Sequence, residues 1–342
     1  MKPLPWFRTS WFRTSWLRLR TRPLWSLGIV AALCTTFAVA CLSTRTPPPR
    51  EGYSIVVCGQ RFDIGTPVVL WSDPGGYDAY SEVPRFEEPK EATAEFDPRG
   101  KRYGERRNLP PGIAQRVAEH GFALDDLRQV VDQFVVHFDV CGNSRQCFKI
   151  LQDKRKLSVH FMLDVDGTIY QTLDLKERAW HATIANDRAI GIEIAHIGAY
   201  SAPGHPVMRS WYGTDEKGVF VKFPAWMTET GVRTPGFVAR PQRPELISGS
   251  INGNTVWMHD YTPQQHAALA KLVAGLSRVF PKIALDVPRG ADGRPLDRVL
   301  DEGEFAAFHG VLGHYHVQKN KDDPGPALDW ERLLRDARGV TR

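Results

Sequence analysis

The sequence is poor in cysteine. Five occur in 342 residues, and two of them, Cys34 and Cys41, stand within the first 50. Cys58, Cys141 and Cys147 remain, too few for two thiolate pairs around a structural metal. No H-E-x-x-H occurs, which removes the helical two-histidine signature of many zinc peptidases. Acidic residues are absent from residues 1–22, which carry Lys2, Arg8, Arg13, Arg18, Arg20 and Arg22. Taking those six from the 44 basic residues leaves 38 against 39 acidic ones, so the body of the chain is nearly neutral. It has no dense basic patch with interleaved aromatics, and nucleic acid is not an expected partner.

The first 50 residues read as a targeting segment. A basic stretch with a WFRTS repeat at Trp6–Ser10 and Trp11–Ser15 precedes an uncharged apolar run, Leu24–Leu42. Small residues close that run at Ala38-Val39-Ala40, followed by Cys41. Basic, apolar, small-residue order is the pattern of an export signal. Ala-Val-Ala-Cys resembles a lipobox, which makes Cys41 a candidate lipidation site. An uncleaved membrane anchor is the alternative, since about 20 apolar residues span a bilayer. The body is expected outside the cytoplasm, periplasmic or attached to the envelope, with membrane contact only through this segment. Thr44–Arg50, with three prolines, is a short extended linker. An oxidising compartment favours a Cys141–Cys147 disulfide, worth roughly 2 kcal/mol for so short a loop. Cys58 is left as a buried thiol.

Along the body, Ile55-Val56-Val57 and Val68-Val69-Leu70-Trp71 are expected as short strands, with a turn at Asp73-Pro74-Gly75-Gly76. Residues 81–112 are charged, Pro-rich and without period, and are expected to run over the surface. Residues 51–120 are thus expected as an extension packed on a domain of residues 121–342. Leu124–Gln133 is a short helix. Phe134–Asp139 is an apolar strand whose alternation puts Phe134, Val136 and Phe138 on one face and Val135 and His137 on the other. Leu157–Leu163 and Thr168–Leu173 flank Asp166-Gly167, a strong hairpin signal. Ile190–Ile197 is an apolar strand with Glu193 in its middle, where a carboxylate is costly unless it is paired or does chemistry. Thr262–Phe280 is a helix: Thr262 caps it, Pro263 opens it, and Leu269, Leu272, Val273 and Leu276 form its core stripe. Leu328–Ala337 is a C-terminal helix.

Gly313–Trp330, reading GHYHVQKNKDDPGPALDW, holds His314, Lys321 and Asp323 within ten residues. Pro324-Gly325-Pro326 restricts the backbone after Asp323. One imidazole and one carboxylate supply part of a metal site, and a catalytic zinc takes three protein ligands and leaves one position open. His137 is the candidate for the third. A hydrogen-bonded core histidine is the alternative at that position, as an arginine ion pair is for Glu193.

Taken together, a histidine near the end of an apolar strand, S-x-H-F-x-x-D-x-D-G-x-x-Y-Q, A-W-H-A, an asparagine, I-G-I-E, and G-H with K-x-D-P-G-P fall in order over residues 130–198 and 258–332. This pattern resembles the zinc-dependent N-acetylmuramoyl-L-alanine amidases, the superfamily shared with peptidoglycan recognition proteins. The resemblance implies an α/β fold, a central mixed sheet flanked by helices with inserted loops. It implies one zinc ion per chain on His137, His314 and Asp323, and Glu193 and Lys321 as the catalytic pair. Trp180, His181 and Asn186 would line the substrate groove. The substrate would be peptidoglycan or muropeptides, cut between N-acetylmuramic acid and L-alanine, and a monomer is expected. The Cys141–Cys147 spacing is similar to a disulfide of the recognition-protein branch.

Two departures bear on this. Many relatives carry tyrosine just before the His160 position, where this chain has Val159, which places more weight on Glu193. His316 stands two residues after His314 and competes as a ligand. The insertion Tyr200–Asp260 (at about 200–258 in domain terms) is longer than an ordinary loop. It is expected to form small strands along one groove wall, with Trp211, Tyr212, Trp226 and Trp257 available to stack on sugar rings; a plain packed subdomain is the alternative. A non-catalytic peptidoglycan-binding module and an unrelated exported zinc peptidase are the competing functions. The first kind has generally lost a zinc ligand, and here all three positions are filled.

Overall fold

The computed structural model describes residues 50–87 and 99–340. The expected export segment, with Leu24–Leu42 and Cys41, lies outside the described residues. Among the described residues no helix is long and apolar enough to cross a membrane.

Six strands form a mixed sheet: β1 (Val68–Leu70), β2 (Gln133–Phe138), β3 (Phe161–Leu163), β4 (Ile169–Gln171), β5 (Ala189–Ile194) and β6 (Gly310–Gly313), in the order β6-β2-β5-β3-β4-β1. The β6, β2, β5 and β3 strands run parallel; β4 turns back on β3 through the Asp166-Gly167 hairpin, and β1 runs parallel to β4 at the edge. Every residue of β2 is buried, as expected of a parallel strand covered on both faces. Alternation sorts its side chains. Phe134, Val136 and Phe138 enter the main core with Ile190, Ile192 and Ile194. Val135 packs on the other side with Ala189, Leu312 and Leu300.

The helix Pro263–Val279 covers the main-core face. Its start is fixed by a capping box in which the Thr262 side chain accepts from the Gln265 backbone N–H and the Gln265 side chain accepts from Thr262. The C-terminal helix Trp330–Val340 packs into the same core through Leu333, Leu334 and Ala337.

Three expectations need correction. The helix expected at Leu124–Gln133 ends at Val130, because Gln133 already begins β2. The strand expected from Leu157 is ordered as β3 only from Phe161; Ser158 instead bonds by backbone to the Trp180 carbonyl and by hydroxyl to the Arg102 carbonyl. The stretch 81–112 is not confined to the surface. Arg102 and Arg106 are 0% and 3% exposed. The Arg106 guanidinium donates to the carbonyls of Leu175, Asp187 and Ala189 and so ties this stretch to β5. A charge can stay buried when carbonyls accept from it, and burial lowers the Arg106 pKa to about 10.

The insertion forms the helix Pro206–Trp211 and two hairpins, Tyr212–Asp215 with Gly218–Val221 and Ile247–Ile251 with Asn254–Met258. Most of its aromatics do not face a groove. Trp211, Tyr212 and Trp257 pack with Ile197, Met208 and Met227 as a small core, and only Trp226 among the four stands exposed.

Candidate metal centre

The parallel strands deliver the site at their carboxyl ends, where open α/β sheets carry their ligands. His137 and Glu193 are cross-strand partners in β2 and β5, next to last in each strand. His314 directly follows β6, whose Gly313 pairs with Val136. Sheet register thus brings together residues far apart in the chain. Asp323 arrives on the loop that leaves the short helix His314–Val317, and its carbonyl accepts from the Tyr315 backbone N–H. Trp330 donates to the Tyr315 hydroxyl at 2.9 Å, which fastens the C-terminal helix to this loop.

Three atoms converge. His137 Nδ1, His314 Nδ1 and Asp323 Oδ2 lie 2.9 Å from one another in each pairing. Among the described residues this is the one group of three with metal-ligand geometry, and all three members are buried. Outer hydrogen bonds fix which nitrogen faces inward. His314 Nε2 donates to Gln318 Oε1 at 2.7 Å, so its Nδ1 carries the lone pair. His137 Nε2 lies 3.0 Å from His181 Nδ1. Burial and the neighbouring His314 lower the His137 pKa to about 4, so its imidazole is neutral. Two imidazole nitrogens and one carboxylate oxygen with lone pairs turned toward one another at 2.9 Å need a proton or a metal cation among them. Two N donors, one O donor and an open side toward a cleft suit a catalytic zinc.

The cleft beside the triad has a volume of about 270 Å³ and is lined by His137, Glu193, His314, Lys321 and Asp323 together with Trp180 and His181. Glu193 has one buried oxygen, Oε2, without a protein hydrogen-bond partner. Its pKa is driven well up, first by burial, then by the nearby charges of Asp323 and Asp139, against a smaller opposing pull from Lys321. No arginine pairs with it among the described residues. His181 fits against β5 because residue 191 is glycine: any Cβ there would come 2.4 Å from the imidazole. His181 Nε2 is also buried without a protein partner.

The other expected site residues fall differently. His316 does not face the triad. It accepts from the Gly313 backbone N–H at 2.9 Å and bonds the Leu296 carbonyl at 2.8 Å, so both its nitrogens are used. Asn186 is buried behind the groove, and its side chain accepts from the backbone of His181 and Ala182. It positions His181 rather than lining the cleft. Val159 is buried with Phe148 and Met162 and does not reach the cleft. This structure does not form the expected Cys141–Cys147 disulfide. Cys141 and Cys147 are free thiols on the cleft wall, the Cys147 thiol pushed well up by its hydrogen bond to Cys141 and by burial. Cys147 is held inward with Phe148 by a helix that Asn143 caps, while Cys141 stays half-buried on the rim. Cys58 is also free and half-buried, its pKa raised to about 12 by burial.

Sequence reasoning missed Gln318 and Ser158. Gln318 stands four residues after His314, a spacing that signals contact only if a helical turn is foreseen there. Ser158 accepts from the Trp180 backbone N–H at 3.0 Å and sets the groove wall.

The N-acetylmuramoyl-L-alanine amidase family profile matches residues 127–326. A comparison with curated proteins gave no match. Solved structures similar to the chain include AmpD, at 17% identity over 70% of this chain and 90% of that one, with a TM-score of 0.32. AmiD from E. coli, solved with anhydro-N-acetylmuramic acid-L-Ala-D-gamma-Glu-L-Lys, is 17% identical over 60% of this chain and 57% of its own, with a TM-score of 0.35. The hydrolase AmiA from Staphylococcus aureus is 13% identical over 70% and 95%, with a TM-score of 0.36.

Proposed function

Because the chain belongs to the N-acetylmuramoyl-L-alanine amidase family, we propose that it is a zinc-dependent hydrolase of the amide bond between N-acetylmuramic acid and the L-alanine of the stem peptide. The observation that carries this reading is the buried His137–His314–Asp323 triangle opening onto a cleft with Glu193 and Lys321. Zinc in that triangle would polarise the scissile carbonyl and acidify a water. The rest is done by side chains of the chain itself. Glu193, whose carboxyl is buried with one oxygen free of protein partners, takes the proton of the attacking water and hands it to the leaving amine of L-alanine. Lys321 supplies positive charge where the carbonyl oxygen gains negative charge. Trp180 and His181 bear on the substrate from the groove wall, and His181 offers its unpaired Nε2. Export through residues 1–50, which would bring the protein to the cell wall, belongs to the same proposal.

Digestion of purified sacculi followed by mass spectrometry tests it. Free stem peptides beginning with L-alanine are expected, with the glycan strands left whole. Tight binding to sacculi without any released peptide would instead favour a recognition protein that does not cleave.

A further inference from the structure

The insertion presents one large exposed aromatic side chain. Trp226 is 63% exposed. It is not a loose side chain. Its ring stands edge-on to Trp211 at 6.4 Å and 79°. Trp211 in turn lies over Gly142, where a Cβ would come 2.3 Å from the indole. Gly142 follows Cys141, which lines the cleft. The segment after Trp226 is tied to the same rim: Met227 Sδ accepts from Asn143 at 2.6 Å, and Glu229 bonds Arg145 at 2.5 Å. Residues 226–229 are therefore fixed to the loop that forms one lip of the cleft.

The cleft itself, at about 270 Å³, is below the roughly 300–1,000 Å³ common for ligand pockets. A polymeric substrate must continue past it. A single exposed indole does not make the broad apolar patch that a membrane or a tightly bound protein needs. It suits a ligand with an apolar face and a wet rim, and a pyranose ring stacked on an indole is such a ligand. We propose that Trp226 is a glycan subsite that holds a β-1,4-linked amino-sugar strand running out of the metal cleft, so that the enzyme acts on polymeric wall in preference to small muropeptides. This rests on the amidase reading.

The test uses the full-length protein and its Trp226→Ala and Trp226→Phe variants. Chitotetraose, a soluble β-1,4-linked N-acetylglucosamine oligomer, is titrated by calorimetry, and amidase rates are compared on sacculi and on a monomeric muramyl peptide. Because Trp226 is exposed, melting temperatures of all three proteins should agree. Trp226→Ala should weaken chitotetraose binding and slow sacculus hydrolysis about 3- to 10-fold, the weight of one aromatic contact. The rate on the monomer should hold, and Trp226→Phe should recover most of the loss. Equal slowing on both substrates, or no effect on either, would overturn the subsite. Chitotetraose binding that depends on Trp226 in a protein that cleaves neither substrate would keep the subsite and remove the amidase reading.

Discussion

At the scale of single residues, the site depends on which atom each side chain offers. Glu193 has a buried, unpaired oxygen and a pKa raised by burial and by Asp323. An amide of equal volume has no exchangeable carboxyl proton. Glu193→Gln should keep the fold and the metal but lose activity about 10²- to 10⁴-fold; a folded, metal-loaded variant with near wild-type rate would take Glu193 out of the chemistry. The two histidines of the Gly313 loop make a sharper contrast. His314 is oriented by Gln318, and His316 is spent on backbone groups. Gln318→Leu should weaken zinc affinity about 10- to 100-fold, the usual cost of losing a ligand's outer partner. His316→Ala should retain zinc and lower the melting temperature. Equilibrium dialysis on both variants checks the pair, and a reversed pattern would assign the ligands the other way.

At the scale of elements, the Asp323 loop is held from behind by the second insertion hairpin. The Asn252 side chain at its tip donates to the Lys321 carbonyl at 3.0 Å and accepts from the Val299 backbone N–H at 2.7 Å. Asn252 has φ 51°, which glycine adopts without strain. Asn252→Gly therefore removes the side-chain bonds and spares the backbone. It should cost about 1–2 kcal/mol in denaturant unfolding and lower activity through Lys321; unchanged stability and rate would show that the hairpin does not support the loop. Elements of this kind also mark how far the sequence could be read. The β2 strand and the Pro263–Val279 helix were legible because alternation, an N-cap threonine followed by proline and an apolar stripe are local signals. The His137–Glu193 pairing was not, since it depends on strand register between segments over 50 residues apart. The inward turn of Arg102 and Arg106 left no trace in a charged, aperiodic stretch, because what stabilises it is carbonyl oxygens contributed by distant segments. The insertion aromatics read alike in sequence, yet three of them close a small core and one remains exposed, a division set by packing alone. The four-residue helix that carries His314 is too short for any periodic signature.

At the scale of the whole molecule, acid stability offers a test far from the metal. Asp260 joins the insertion to the main helix by bonding His266 at 3.0 Å and Arg243 at 2.6 Å. Burial would raise its pKa, but these two bonds prevail and lower it to about 2 from 3.8. A carboxyl lowered in the folded state contributes stability above its unfolded pKa and loses it as pH falls toward the folded value. Asp260→Asn should thus cost about 2 kcal/mol near neutral pH, and the difference from wild type should shrink between about pH 4 and pH 2. A difference that stays constant across that window would deny the Asp260 contacts this role. The central claim, that one metal ion held by His137, His314 and Asp323 makes this fold a wall amidase, is tested most directly by titrating zinc into metal-free protein while following release of stem peptide from sacculi. The account predicts no release without metal and a rise that levels off at about one equivalent of zinc per chain. Full activity in the metal-free protein, or no activity at any zinc level, would contradict it.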